Sequence, residues 1–260
     1  MKNIYFFVIL FFISFNLFSQ TSVEACNTQL SKVSGKEKVN LLNKFASELI
    51  NTDPKLSVNY ALQAKELAEN ILYKEGIADA LFNSGTGFYY LDEFEKGINS
   101  INEAITLYNK EGLREKIGIA KGMIGEIYIY SGEYSKALDF LSESRRILEE
   151  FKNNRELARC NNNLGNIQKN QGNFTEALSY YKIGFNLGDD VRKGDASLAM
   201  GQVFVNQKKY SEADKSFHQA IIFANKNNDQ YVLADAYIGM GEVSAFFGQI
   251  DSAKTFFNKA

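Results

Sequence analysis

Small residues recur along this chain at a nearly constant interval, and that interval constrains the fold more than any other feature. Gly85, Gly125, Gly165, Gly201 and Gly241 form one comb, with steps of 40, 40, 36 and 40 residues. A second comb begins twelve residues after each glycine and reads small, apolar, small. Its copies are Gly97-Ile101-Ala104, Ala137-Leu141-Ser144, Ala177-Tyr181-Gly184, Ala213-Phe217-Ala220 and Ala253-Phe257-Ala260, with a fainter one at Ser57-Ala61-Ala64. Both combs share the 36-residue step, so one internal repeat with one four-residue deletion accounts for both.

Turn signals stand between the combs: Asp92-Glu93-Phe94, Gly132-Glu133-Tyr134, Gly172-Asn173-Phe174, Lys208-Lys209-Tyr210 and Gly248-Gln249-Ile250. Apolar residues on either side fall three and four apart, the helical period. Each unit therefore reads as helix, tight turn, helix. The glycines let the two helices of a hairpin approach closely, and Ala137, Ala177, Ala213 and Ala253 serve the next contact. A lone hairpin cannot bury its apolar face, so neighbours must stack. The expected repeats run 37–72, 76–110, 115–152, 155–188, 193–226 and 230–260, a repeat domain over 37–260 behind a polar segment at 20–36. Asp53-Pro54 starts a helix, since Pro suits a first turn. Gly188-Asp189-Asp190-Val191 is expected to carry the deletion as a shortened connection. The last repeat stops inside its second helix, which leads to the expectation of a longer parent chain.

Composition narrows the chemistry. The 29 Lys and Arg against 31 Asp and Glu leave a net charge of −2, whereas a nucleic-acid partner calls for a basic excess or stripe. One His and two Cys are too few for a zinc site, so no metal, no cofactor and no catalytic residue is expected. His218 reads as a surface residue and Asp189-Asp190 as a solvated turn. Gly85-Thr86-Gly87 lacks the Lys-Ser/Thr of a phosphate-binding loop and reads as helix packing. Tyr90 and Tyr181 read as core. Cys160 reads as a small buried residue, with no disulfide to Cys26 expected.

Residues 1–19 are a separate object. Lys2 precedes an apolar run of 15 residues from Ile4 to Phe18, shorter than the roughly 20 of a spanning helix. Polar residues follow at once, the pattern of a secretory signal cleaved near Ser19-Gln20. The mature chain is then expected in the periplasm or envelope, with an uncleaved anchor as the alternative. Glu24 before Cys26 fits a lipidation motif badly. The phenylalanine-rich stretch resembles export signals of the Bacteroidetes group. Membrane contact is expected only through this segment or through a helix downstream of Ala260.

The repeat itself resembles the tetratricopeptide repeat family. Met123-Ile124-Gly125 with Tyr128, Tyr134, Ala137 and Leu141 follow its signature, as do Leu164-Gly165, Phe174, Ala177 and Tyr181. The family's frequent Trp in the first helix and its usual Pro after the second are absent. The 40-residue period is similar to the extended-helix subtype of kinesin light chains and bacterial regulators. The resemblance implies an all-α, right-handed superhelical solenoid of about six stacked helix-turn-helix repeats. It implies a non-catalytic scaffold that takes a protein or peptide partner on a concave face lined by first helices. It also implies an alternative: the extracytoplasmic sensor part of a longer signalling protein, a histidine kinase or helix-turn-helix regulator.

On that face, positions three and four apart include Asp79, Phe82, Thr86 and Tyr89, then Glu126, then Arg159, Asn162, Asn166 and Lys169. The later repeats add Gln202 with Val205, and Asp235 and Ile238 with Glu242. Asn162 and Asn166 each carry a donor and an acceptor and would bracket a peptide amide, with Arg159 and Lys169 selecting acidic neighbours. Two readings of the Asn pair stay open, a groove site and a solvated face. On the first, replacing both by Ala weakens binding and leaves folding intact.

Overall fold

A computed structural model describes residues 26–260. Within them a helical turn at 26–30 precedes twelve helices arranged as six hairpins. These are α1 (Gly35–Leu49) with α2 (Pro54–Asn70), α3 (Lys74–Tyr90) with α4 (Phe94–Lys110), and α5 (Arg114–Tyr130) with α6 (Tyr134–Phe151). They continue with α7 (Asn154–Asn170) and α8 (Phe174–Leu187), α9 (Asp190–Asn206) and α10 (Tyr210–Asn227), and α11 (Gln230–Phe246) and α12 (Ile250–Phe257). The chain forms two compact units, one ending at Gly112 and one spanning Leu113–Ala260. The expected export signal at 1–19 and its cleavage near Ser19-Gln20 lie outside the described residues. Among the described residues no helix is long and apolar enough to cross a membrane.

Local chemistry sets the helix ends. Inside five of the hairpins the turn places one residue at positive φ: Asp92, Gly132, Gly172, Lys208 and Gly248. The next residue's N–H then reaches back five positions, as Asn173 does to the Gln168 carbonyl at 2.9 Å. That bond satisfies a carbonyl the helix end would otherwise leave open. Between hairpins, side-chain caps take over. Asn153, Asp189 and Asp229 each accept from the N–H three residues on, at 3.1, 3.0 and 3.1 Å. Asp53 does the same for Leu56 at 3.0 Å ahead of Pro54.

Packing follows the combs. Each comb glycine faces the residue sixteen positions later on its partner helix. A Cβ at Gly165 would lie 2.6 Å from the Tyr181 ring, and one at Gly201 would lie 2.5 Å from the Phe217 ring. Gly85, Gly125 and Gly241 meet Ile101, Leu141 and Phe257 in the same way. The small residues of the second helices serve the next contact. Ala137, buried, shares a cluster with Leu141 and Leu148 of α6 and with Leu157 and Leu164 of α7. Ala177 and Tyr181 of α8 join Ala196, Met200 and Val203 of α9. In the first unit, Val39, Leu42, Phe45, Tyr60 and Ala64 form the corresponding core between α1 and α2. Ser57 Oγ donates to the Ala46 carbonyl there at 2.6 Å.

The four-residue deletion sits elsewhere than expected. The connection between α8 and α9 is Gly188-Asp189, as short as Lys152-Asn153 or Asn228-Asp229 and no shorter. The missing residues come out of α8, which has 14 residues against 18 in α6 and in α10. A deletion of four is close to one helical turn of about 3.6 residues, so the faces on either side stay in phase. A loop deletion would have no such periodic register to preserve.

Tyr181 is fully buried, but Tyr90, at the end of α3, is 44% exposed with its ring edge against Tyr89. Tyr90 is therefore a rim residue: as the last residue of its helix, it has no further turn of α3 to cover it. His218 is exposed on α10 beside the Asp214 carbonyl. Cys160 is a buried free thiol 3.2 Å from Ser144 Oγ, and Cys26 is likewise free.

Candidate functional site

In the second unit the first helices α7, α9 and α11 lie side by side and enclose a cleft of about 390 Å³. Asp235, Ile238 and Glu242 stand at i, i+3 and i+7 on α11, a spacing that puts all three on one helix face. Gln202 and Val205 line it from α9, and Lys169 from α7. The edge of Phe217 reaches the cleft floor beside Gly239. Ile238 stays 42% exposed, so the cleft presents open apolar surface between polar walls.

The charges in this cleft are divided by wall. Lys169 Nζ donates to Gln202 Oε1 at 2.9 Å, and burial pulls its pKa below the ordinary lysine value. Among the described residues, no carboxylate lies within ion-pair distance of Lys169, and no cation within that distance of Asp235 or Glu242. A cation on one side and two carboxylates on the other are left without partners of opposite sign.

Nearer the start of these helices the polar side chains partner one another. Arg159 lies 2.9 Å from a Glu156 carboxylate oxygen and 3.9 Å from one of Glu126. Asn163 Nδ2 donates to Glu126 at 3.0 Å. Asp195 is held by Arg192 at 2.8 Å, and burial raises its carboxyl pKa while the guanidinium opposes that rise. Glu126 and Arg159 thus compensate each other inside the fold, which weakens their availability to a ligand.

The Asn pair is used differently from either sequence reading. Asn162 is buried; its Nδ2 donates to the Arg192 carbonyl at 3.2 Å, and its side chain leaves no room for a Cβ on Gly184. It ties α7 to α8 and α9 and does not open on the cleft. Asn166 is half-buried, and its Oδ1 accepts the Tyr181 hydroxyl at 2.8 Å. Burial pushes the Tyr181 phenol pKa well up, so the hydroxyl stays protonated and donates. Asn166→Ala therefore does not leave folding intact, as the groove reading expected. It strands a buried hydroxyl and is expected to lower stability by about 1–3 kcal/mol, offset only in part by better helix propensity. Urea titration of both proteins checks this; an unchanged midpoint would mean the hydroxyl reaches water. Thr86 and Tyr89 are also buried rather than groove-facing. Thr86 Oγ1 donates to the Phe82 carbonyl at 2.9 Å, and Tyr89 packs against Phe94. Of the positions expected on the concave face, Lys169, Gln202, Val205, Asp235, Ile238 and Glu242 line the cleft together.

A second cleft, of about 370 Å³, lies in the first unit between α1 and α3 and was missed apart from Asp79 and Phe82. Asn43 and Asn83 line it. Asn43 Nδ2 donates to the Gly76 carbonyl and Asn83 Nδ2 to the Asn43 carbonyl, both at 3.1 Å. The signal was available: Asn43, Asn83 and Asn163 occupy one repeat position, at intervals of 40 and 80 residues.

Residues 116–182, spanning α5 to the middle of α8, match the tetratricopeptide repeat family. The match covers 67 of the 260 residues, and the hairpins on either side of it repeat the same helix-turn-helix unit. Over 136 residues the chain is 29% identical to tetratricopeptide repeat protein 29 of Macaca fascicularis, an alignment covering 49% of this chain and 28% of that one. The chain spans between 9% and 28% of the length of the curated relatives it matches. Solved structures that share its fold include these two. One is NprR in complex with its cognate peptide NprX, with a TM-score of 0.72 at 19% identity, covering 92% of this chain and 70% of that one. The other is a Rap protein complexed with Competence and Sporulation Factor, with a TM-score of 0.71 at 16% identity, covering 91% and 78%.

Proposed function

We propose that this protein is a non-catalytic scaffold that binds an extended peptide segment in the cleft across α7, α9 and α11. The observation that carries the reading is the cleft itself. The helix faces leave Ile238 open between Asp235 and Glu242 on α11, with Gln202 and Val205 lining the same cleft from α9. An extended segment crossing such helices can bury an apolar side chain on Ile238 while its backbone meets the amide of Gln202, which both donates and accepts. The solved complexes of NprR with its cognate peptide NprX and of a Rap conjugation gene regulator with the Phr* peptide, alike in fold, support the same assignment.

The test is to pan a random octapeptide display library on the purified chain and to measure the enriched peptides against Ile238→Arg. The substitution replaces an exposed apolar contact with a long charged one and should leave the melting midpoint unchanged. Affinity is expected to fall about tenfold or more, the scale of losing a central contact. Enriched peptides that bind the variant as well as the parent would move the site away from this cleft.

A further inference from the structure

We infer that the cleft selects peptides of mixed charge, carrying an acidic side chain at the α7 wall and a basic one at the α11 wall. The inference rests on the peptide-binding reading above and adds to it the chemistry of the ligand. Lys169 is a half-buried ammonium whose hydrogen-bond partner in the cleft is the neutral Gln202. Taking a cation partly out of water without an anion is unfavourable, and an incoming carboxylate relieves that cost. On the opposite wall Asp235 and Glu242 are exposed, of one sign, and seven residues apart on the same face. They set up a negative strip that favours a guanidinium or ammonium and repels a carboxylate. Ile238 between them takes an apolar side chain.

The span fixes the spacing. Packed helices lie about 8–10 Å apart, and Lys169 Nζ already rests on Gln202 of α9, so its charge stands about one such spacing from the α11 carboxylates. An extended chain covers about 3.3–3.6 Å per residue, so the two charges on the ligand stand about three residues apart. Single-sign peptides meet attraction at one wall and repulsion at the other. The cleft therefore discriminates by the balance of the pair, and net charge alone does not describe its preference.

Three end-blocked octapeptides test this, alike except at two positions three residues apart, with valine between. One carries glutamate and lysine, one two glutamates, and one two lysines. Isothermal titration into the full chain is expected to give the mixed peptide an affinity about tenfold above either single-sign peptide, falling with added salt. Lys169→Glu is expected to move the preference to the two-lysine peptide. The double variant Asp235→Lys with Glu242→Lys is expected to move it to the two-glutamate peptide. Equal affinities for the three, no saturable binding of the mixed peptide, or a preference unchanged in both variants overturns the proposal. So does a mixed peptide that binds only with its C-terminus unblocked, because the anion would then be the chain end. Library peptides that depend on Ile238 but show no charge pairing would sink this inference and leave the peptide-binding reading standing. Loss of Ile238 dependence would sink that reading itself.

Discussion

Phe217→Ala is expected to lower the unfolding free energy by about 3–5 kcal/mol, the range for removing a large aromatic ring from a close-packed core. Phe217 is 1% exposed and is the residue around which three helices meet. Its ring lies on Gly201 of α9 and on Gly239 of α11, each without room for a Cβ. Glycine backbones on two sides cannot swing a side chain into the hole, so the site collapses poorly and the cavity term is large. Because the ring edge also forms the cleft floor, peptide affinity should fall with stability. Urea denaturation followed by helical circular dichroism measures the first effect. A loss under about 1 kcal/mol would mean that the ring is not the wedge between α9 and α11.

Gly165→Leu is expected to cost about 1–3 kcal/mol by overpacking. A Cβ there would stand 2.6 Å from the Tyr181 ring, and Tyr181 has nowhere to go. It is fully buried, it packs in the cluster with Ala196 and Val203, and its hydroxyl is held by Asn166. The helices must separate or the ring must leave its rotamer. A double-mutant cycle isolates this cause. In a Tyr181→Ala background the leucine should fill space vacated by the ring, giving a coupling of about 0.5–3 kcal/mol. Strict additivity of the two losses would show that Gly165 and Tyr181 do not touch.

These two residues also show how far the sequence could be read. Gly165 was recognisable as a close-approach site, because a glycine kept in five helices without a turn to make points to that role, whereas Tyr181 as the ring it meets came from the structure. The turn residues Gly132, Gly172 and Gly248 were legible for their own reason, since positive φ favours glycine. Asp92 and Lys208 take the same backbone without that marker, and repeat phase located them. Asp235, Ile238 and Glu242 were placed on one face by helical period before any neighbour was known.

What the sequence by itself determined is therefore periodic: which residues form helices, which helices pair, and which side chains share a face. Those follow from backbone geometry repeated along one chain, and they need no knowledge of what lies opposite. Tertiary structure alone decided which members of a face remain open. Asn162 and Lys169 lie on the same side of α7, yet Asn162 is covered by Gly184 of α8 and the start of α9 while Lys169 opens on the cleft. Thr86 and Tyr89 were lost to burial in the same manner. The difference is set by the neighbouring hairpin, whose offset depends on side-chain volumes and on a helix shortened by one turn. Helical period specifies an angle around one axis; exposure depends on the distance to the next.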